Sequence, residues 1–418
     1  MRIPPSFIMC AALIAGIAIG GSVLTSDMTS LHGMSITAVS AYIALTALLL
    51  AAVMRRHGGI ATSLLLCAVF SLGVFLIKGE RHVYSVPFEE QVVSSMGEKR
   101  AELVDTYQQC GLKNDEYAVV TAMTLGERTY VSRELKETYN VSGASHVFAL
   151  SGMHLGIIYA LLTLLLPWKM TTHLGRMRRP SQLALAAILV AALWTYVLLV
   201  GARPSIMRAA VMLTVYTVAR RMSRQPDGFS VLLFTLAFLL VIWPQWLFDI
   251  GFQMSFMAVA SITLLYVPFN NWLTERYHRL WHIAPLRIIA QTAILSTCAQ
   301  IGVAPLIALY FHRFSTYFLF TNLPVPILAS AVIYLSILLL TCASLRFTLV
   351  THLIAGVLKY VTSLLNHYLA WVSSLPYASI DGIYTNKMQT FLIYAIIICF
   401  CMIVYRLHHG VRRRLGDV

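Results

Sequence analysis

One short segment of the chain places two histidines beside small and hydroxyl-bearing residues. His146 and His154 are eight residues apart, and Ser151 and Gly152 lie between them. On one continuous helix these positions would differ by roughly 80° around the axis, so both imidazoles would share a face, with Ser151 one turn before His154. Three interpretations stay open: a polar stripe at the mouth of a pore, hydrogen bonds that only hold helices together, or a catalytic Ser/His dyad.

A second segment places two arginines at the start of an apolar run. Arg203 precedes Pro204, which suits the first turn of a helix, and Arg208 would lie about 7 Å deeper than Arg203. A guanidinium stays charged, so Arg208 needs a carboxylate, carbonyl oxygens, water or an anionic ligand. Asp249, one turn before Gln253, is a candidate carboxylate. An Arg208–Asp249 ion pair and an anion-handling role are both open, and they can coexist.

Two amides mark further apolar runs. Gln300 lies inside one run, and Asn322 stands two residues before Pro324 in the next, which also holds Pro326. Two prolines so close together interrupt a helix, as in the broken helices that line cavities in membrane proteins. We therefore include Gln300 and Asn322 among the candidate functional residues.

The elements that must position these residues are apolar. Of 418 residues, 58% are hydrophobic and 11% are charged, and the mean hydropathy is +0.74. Soluble domains are about a quarter charged, so a cytosolic enzyme, a disordered tail and a fibrous repeat are excluded. Twelve apolar runs have about the 20 residues that a spanning helix needs. They cover 7–25, 36–54, 59–78, 146–167, 181–201, 204–219, 228–247, 250–268, 288–310, 316–343, 347–374 and 389–405.

The basic residues indicate the orientation of these runs. If the N-terminus is cytoplasmic, the loops on that side and the C-terminal tail carry 18 basic and 3 acidic residues, a net charge of +15. The rest of the chain has a net charge of −1, which accounts for the formal total of +14. Lys and Arg concentrate in cytoplasmic loops. We predict an all-α polytopic integral membrane protein with about 12 transmembrane helices and both termini inside. The outer face, by this count, is not basic.

Four motifs taken together resemble the ComEC-type competence proteins. The resemblance is strong over about 115–330, and four motifs in matching order make it specific, although Glu127 stands where that family often has Asp. The motifs are Leu125-Gly126-Glu127 followed by 143–154, the Pro204-x-x-x-Arg208-Ala209 helix start, Gly251-Phe252-Gln253-x-Ser255-Phe256, and Gln300, Pro305, Phe311 and 322–326.

The resemblance implies a channel in the bacterial inner membrane that imports one strand of external DNA into the cytoplasm. A phosphate chain that crosses lipid needs fixed cations and hydrogen-bond donors at its entry. The candidates for the DNA path or its scaffold are then His146, Ser151, Gly152, His154, Arg203, Arg208, Asp249, Gln253, Gln300 and Asn322.

The apolar runs, the charge pattern and the resemblance together give the expected domains. They are N-terminal transmembrane helices in 1–78, a short external helical segment in 79–140, a competence-type channel module in 141–405 and a basic cytoplasmic tail in 406–418. The external segment holds 11 of the 17 acidic residues, and we expect it to pack on the outer face of the bundle, with re-entry into the membrane near 118–125 as an option.

Expected partners also follow from the resemblance. Full-length relatives carry an external OB-fold and often a metallo-β-lactamase-like nuclease domain, whereas this chain has no HxHxDH-like motif. We therefore expect a short form with no enzymatic activity, no catalytic residue, no metal and no cofactor. The expected partners are single-stranded DNA, membrane lipids, and separate DNA-binding, nuclease and motor proteins, while a homodimer stays open.

Two other classes of protein remain open. A multi-span enzyme with an external active site, such as a lipid-linked glycan ligase, also has about a dozen helices, but it should carry its Arg and His residues in one long external loop. Here they lie at helix starts. A secondary transporter should show an inverted repeat, and no repeat is visible in the sequence.

Overall fold

The computed structural model describes residues 5–22, 30–31, 34–53, 58–78, 87–148, 150–164, 179–221, 227–277 and 283–416. These residues are almost entirely helical. The helices are α1 (Pro5–Ser22), α2 (Ile36–Val53), α3 (Gly58–Lys78), α4 (Pro87–Gln109), α5 (Asn114–Leu125), α6 (Arg133–Val141), α7 (Gly152–Leu164), α8 (Arg179–Leu199), α9 (Pro204–Arg221), α10 (Gly228–Ile242), α11 (Ile250–Arg276), α12 (Ala284–Phe311), α13 (Phe318–Asn322), α14 (Val325–Ser344), α15 (Thr348–Ser373) and α16 (Lys387–Gly416).

Short turns and ribbons connect some of these helices. Single 3-10 turns cover Ser145–Val147 and Pro244–Phe248. Two antiparallel ribbons pair β1 (Ser30–Leu31) with β2 (Met34–Ser35), and β3 (Arg313–Ser315) with β4 (Ser379–Asp381).

Each apolar run predicted from the sequence overlaps an α-helix. The fourth and the seventh runs also include a 3-10 turn, and the tenth falls on α13 and α14 together. Within the described residues, four helical segments are long and apolar enough to cross a membrane: Ile250–Arg276, Ala284–Phe311, Phe318–Ser344 and Thr348–Ser373. Other apolar helices are shorter. The chain is therefore an α-helical membrane protein, while the count of twelve crossings and their orientation remain predictions.

The chain folds into two compact units that interleave along the sequence. The first unit is Met1–Ser94, His173–Ala192 and Pro204–Phe256, and the second is Ser95–Thr172, Leu193–Arg203 and Met257–Val418. In the first unit, α3 packs against both α1 and α2. A Cβ on Gly16 of α1 would lie 2.1 Å from the carbonyl oxygen of Phe70 in α3. This pair of helices thus uses a small residue to bring its backbones close, as membrane helices commonly do.

The core of the second unit is built around α5. Every residue from Tyr117 to Leu125 is buried, and α5 packs against α14 and α15. On α6, Leu135 and Tyr139 are buried, and the hydroxyl of Ser132 caps the helix by accepting the Leu135 N–H at 3.1 Å. The predicted helical character of this region is confirmed, and α5 is buried in the core of the second unit. Packing of this segment on the outer face of the bundle, with re-entry into the membrane near 118–125 as an option, stays a prediction. A helix covered on all sides needs apolar residues all round, which removes the stripe that marks a surface helix.

Candidate functional site

Three segments of the second unit meet at the turn after α5. Gly126 has a left-handed φ of 73°, and a Cβ there would lie 2.5 Å from Leu150 Cδ1 and 3.3 Å from the Val200 carbonyl oxygen. The hydroxyl of Tyr196 on α8 donates to the carbonyl of Thr124 at 2.8 Å. Glycine is the residue that tolerates both this φ and this close approach. We call this meeting point of α5, the segment before α7 and the end of α8 the Gly126 junction.

Three arginines and one glutamate lie at the Gly126 junction. Arg203 Nη2 donates to the carbonyl of Gly126 at 3.2 Å, and Arg100 Nη2 lies 3.9 Å from Glu127 Oε2. Arg128 follows Glu127 in the chain and is exposed. Of the three arginines, the sequence pointed to Arg203 alone. Arg100 on α4 was missed because no local pattern relates it to a turn many residues later, and Arg128 was missed because it looked like a surface charge in an acidic segment.

The electrostatics of the junction are unbalanced. The pKa of Glu127 is lowered, chiefly because the hydroxyl of Thr129 donates to its Oε1; burial opposes this, and the charges of Arg100 and Arg203 add to the lowering. The pKa of Arg128 is lowered by loss of hydration and, secondarily, by the charge of Arg203. Glu127 therefore stays ionised and faces Arg100, while Arg128 and Arg203 repel each other.

His154 lies at the start of α7, where Ser151 is the capping residue. The Ser151 N–H donates to His154 Nδ1 at 3.4 Å, and Ser151 Oγ lies 3.0 Å from the same nitrogen. A side chain at the third helical position that accepts the N–H of the cap forms a capping box. Because Nδ1 accepts this bond, we assign the proton of the neutral ring to Nε2. The contact therefore explains the start of a helix without invoking a catalytic dyad.

The other ring nitrogen of His154, Nε2, has hydrogen-bonding capacity that the described residues do not use. The residue is 0% exposed, and Nε2 has no hydrogen-bond partner among the described residues. A buried donor without an acceptor costs about 1–3 kcal/mol, which a bound acceptor would relieve. Arg128 and His146 both lie within electrostatic range of the ring. His154 thus belongs to the electropositive surroundings of the Gly126 junction.

The single helix predicted for the histidine segment is wrong. His146 lies in the 3-10 turn over 145–147, and the helix that carries His154 begins only at Gly152. Gly143, with a left-handed φ of 83°, turns the chain before His146. The two imidazoles are therefore not positioned by one helix face, and their proximity comes from the fold of the turn.

Arg208 is a buried cation in the first unit. It is 5% exposed, its Nη1 lies 3.6 Å from Met212 Sδ, and its Cζ lies 5.7 Å from the ring centroid of Phe256. Its Nε has no hydrogen-bond partner among the described residues. Sulfur and aromatic contacts attract a guanidinium but do not neutralise it. Arg208 therefore keeps donor capacity that the surrounding side chains do not use.

The predicted Arg208–Asp249 ion pair is not formed. Asp249 Oδ1 instead accepts the Phe252 N–H at 2.7 Å and caps α11, and Gln253 Nε2 donates at 2.8 Å to a carbonyl of the preceding turn. The unpaired N–H groups at a helix start attract a carboxylate directly, and here they outcompete the arginine. Asp249 and Gln253 thus shape the entry to α11.

The predicted break near Asn322 is confirmed. Asn322 ends α13, Pro324 stands at the start of α14, and the buried Oδ1 of Asn322 has no hydrogen-bond partner among the described residues. Pro324 has no N–H to offer the carbonyl of Phe320. The hydroxyl of Tyr368 on α15 donates to that carbonyl at 2.7 Å instead. A neighbouring helix thus satisfies the backbone group that the proline leaves open.

Gln300 is half-buried in α12. The residue that follows it, Ile301, lines an apolar cavity of about 550 Å³ together with Pro305 and Phe400, whereas Gln300 does not contribute to the lining. The described residues contain no group of three or more His, Cys, Asp or Glu side chains that could hold a metal ion.

Comparison with known proteins decides the family. Residues 123–408 match the competence protein family. The chain belongs to this family. The matched region contains His154, Arg208 and the residues of the Gly126 junction other than Arg100 of α4, so both buried donors lie within the competence module.

Individual relatives are matched over part of their length. The chain is 31% identical to ComE operon protein 3 of Bacillus subtilis (strain 168) over 204 residues. The matched stretch covers 49% of this chain and 24% of that protein. An uncharacterized protein of Aquifex aeolicus is 26% identical over 244 residues, 58% of this chain and 52% of its own. The uncharacterized protein YcaI of Escherichia coli K12 is 26% identical over 230 residues, 52% of this chain and 29% of its own. No solved structure matches the chain.

Proposed function

We propose that this protein forms the channel through which a single strand of DNA crosses the bacterial inner membrane into the cytoplasm during competence. One observation carries this proposal: within the region that matches the competence family, two buried hydrogen-bond donors, on His154 and Arg208, have no acceptor among the described residues. A translocated strand supplies one phosphate per nucleotide and would satisfy such donors in passing.

A DNA channel requires cations and hydrogen-bond donors along its path, and these two side chains are of those kinds. A phosphodiester cannot enter hydrocarbon unless cations and donors replace its water. Binding must also be weak enough for the strand to move on, which favours isolated donors over a complete cage. His154 provides one neutral donor on the apolar helix α7, and Arg208 provides one cation in the first turns of α9.

Contacts within the second unit support the proposed order of crossings, because they join three loops that this order assigns to one side of the membrane. Arg313 contacts Glu137 at 2.6 Å and Asp381 at 2.5 Å, and β3 pairs with β4. These residues come from 79–140, the loop near 313 and the loop near 381, which the charge pattern assigns to the external side. A topology with one crossing more or fewer between them would separate them by the thickness of the membrane.

The proposed partners follow from this role. The chain would act as a channel rather than an enzyme, in contact with membrane lipids, with binding, strand degradation and the driving force supplied by separate DNA-binding, nuclease and motor proteins. A second copy of the chain is a further candidate partner.

The test uses a strain in which the gene is deleted and then complemented with variants. Arg208→Met keeps the apolar part of the side chain and removes the charge, and we expect at least about a tenfold loss of labelled DNA reaching the cytoplasm, because one charge-assisted hydrogen bond is worth about 1.5–3 kcal/mol. Arg220→Met is the matched control, since Arg220 lies on the same helix but is exposed. Membrane insertion is checked by immunoblotting of membrane fractions.

Normal uptake in the deletion strain, or in a well-inserted Arg208→Met strain, would contradict the channel role. If the deletion instead left uptake intact and changed a lipid-linked glycan or the accumulation of a small solute, the enzyme or the transporter interpretation would replace it.

A further inference from the structure

The Gly126 junction collects more positive charge than its glutamate can compensate. Arg100, Arg128 and Arg203 come from α4, the loop after α5 and the segment after α8, and Glu127 interacts with Arg100 and Arg203. Arg100 is the arginine within ion-pair distance of Glu127, at 3.9 Å. Among the described residues, neither Arg128 nor Arg203 has a carboxylate within that distance. The junction therefore holds two guanidinium groups in excess.

Arg203 is held in place at the junction, and Arg128 lies close enough for the two positive charges to interact. Arg203 is fixed by its hydrogen bond to the carbonyl of Gly126, and Arg128 is only two residues further along the same turn. Two like charges kept close in partly dehydrated surroundings repel each other, and an anion between them would turn that repulsion into attraction. Arg128 remains exposed, so a ligand can reach it from solvent.

A second observation extends the charged surface inward. The buried Nε2 of His154 lacks an acceptor, and the ring lies within electrostatic range of Arg128. An exposed cation (Arg128), a hydrogen-bonded cation (Arg203) and a buried neutral donor (His154) thus occur in one region of the second unit.

We propose that Arg128 and Arg203 bind consecutive phosphodiester groups of a single DNA strand and deliver it toward His154, an inference that rests on the proposed channel function. The planar guanidinium fork matches phosphate oxygens and carries no base preference. Glu127, fixed by Thr129, limits the affinity by repelling the same phosphates, which keeps the strand able to move. Arg128 and Arg203 are therefore substrate-binding residues, and Glu127 moderates their affinity for the strand.

The experiment measures binding of a fluorescent oligothymidylate to the full chain in nanodiscs of zwitterionic lipid, over a series of salt concentrations. We expect Arg128→Gln to weaken binding about three- to tenfold and to reduce the slope of log K against log salt by about 0.7, the value for one phosphate contact on a single strand. Arg203→Lys should keep the slope, because the charge remains. Glu127→Gln should tighten binding, because it removes the negative charge that repels the phosphates. The amide oxygen of Gln can still accept the bonds from Thr129, so the turn is kept.

Arg133→Gln is the matched control. Arg133 begins α6, is exposed and does not act on Glu127 or Arg128. Its substitution should leave both affinity and slope unchanged. Unchanged binding by Arg128→Gln, or an equal loss with Arg133→Gln, would overturn the site.

Two further arms identify the anion. A methylphosphonate oligothymidylate, whose backbone is neutral, should not bind, and its binding as tightly as the phosphodiester would overturn recognition of phosphate. Nanodiscs that contain phosphatidylglycerol test the lipid source: competition that is present in the native protein and absent in Arg128→Gln would assign the site to a headgroup and overturn the DNA assignment. Failure of the channel itself would look different, with DNA uptake unaffected by Arg208→Met while the arginine-dependent binding persists.

Discussion

At the scale of single residues, the structure separates side chains that build helix starts from side chains with spare hydrogen-bonding capacity. Asp249 and Ser151 are both caps, and their polar atoms are used locally. His154 does both jobs, because Nδ1 accepts the cap bond while Nε2 has no partner among the described residues. The two ring nitrogens can therefore be tested separately.

Substitution of His154 by Asn and by Gln should separate its two roles. Asn places an acceptor where Nδ1 lies and removes the Nε2 donor, so we expect a folded protein with at least about a tenfold loss of DNA uptake. Gln keeps a donor near Nε2 but weakens the cap, at a cost of about 0.5–2 kcal/mol in stability, and should retain more uptake. Uptake and the apparent melting temperature in detergent are measured for both. Full DNA uptake by the His154→Asn variant would contradict the role of Nε2 as a donor to the strand.

At the scale of elements, the break between α13 and α14 is stabilised from outside the helix. Pro324 removes the N–H that would bind the Phe320 carbonyl, and Tyr368 on α15 supplies a hydroxyl in its place. The break between α13 and α14 is therefore stabilised by a contact with one neighbouring helix, α15. This exchange also makes the energetic effect of the tyrosine depend on the proline.

A double-mutant cycle between Tyr368 and Pro324 should show this dependence. Tyr368→Phe alone leaves the Phe320 carbonyl without its donor, and we expect a loss of about 1 kcal/mol in the free energy of unfolding. In a Pro324→Ala background the new N–H can bind that carbonyl, so the same substitution should cost clearly less. Unfolding by SDS in mixed micelles gives both differences. Equal costs in the two backgrounds would show that the hydroxyl does not replace the lost helix bond.

At the scale of the whole molecule, the charge pattern and the contacts of the second unit favour the same topology. The loops near Arg313 and Asp381 pair as β3 and β4, and Glu137 of α6 joins them through Arg313. All three lie on the external side in the predicted arrangement. The net positive charge lies mainly in the loops and the tail that this arrangement places in the cytoplasm.

Reporter fusions test this topology directly. Alkaline phosphatase inserted after Gly382, an exposed residue with a left-handed φ of 78°, should be active because the enzyme folds outside the cytoplasm. Green fluorescent protein fused to Val418 should fluoresce, because the predicted topology places the tail in the cytoplasm. A second phosphatase fusion, at Val418, should be inactive, and its activity would show that the C-terminus lies outside. Loss of both expected signals together with normal expression would indicate a different number of crossings.

The sequence by itself determined the class of protein, the helical segments and the family. Hydrophobic runs identify helices because lipid demands internally bonded backbone, and this demand is local to each run. The same locality explains the correct break at Pro324. It also explains an error: His146 and His154 were assigned to one helix because spacing alone does not reveal that the helix of His154 begins only at Gly152.

Only the tertiary structure decided which charges are compensated. Arg208 and Asp249 looked like partners in sequence, yet Asp249 binds the start of its own helix. Arg100 and Arg128 looked like ordinary charges in an acidic external segment, yet the fold of α4, α5 and α8 brings them to Arg203 around a single glutamate. Electrostatic energy depends on the distance between groups remote in the chain, so a segment with an excess of acidic residues can still contribute to a concentrated positive site.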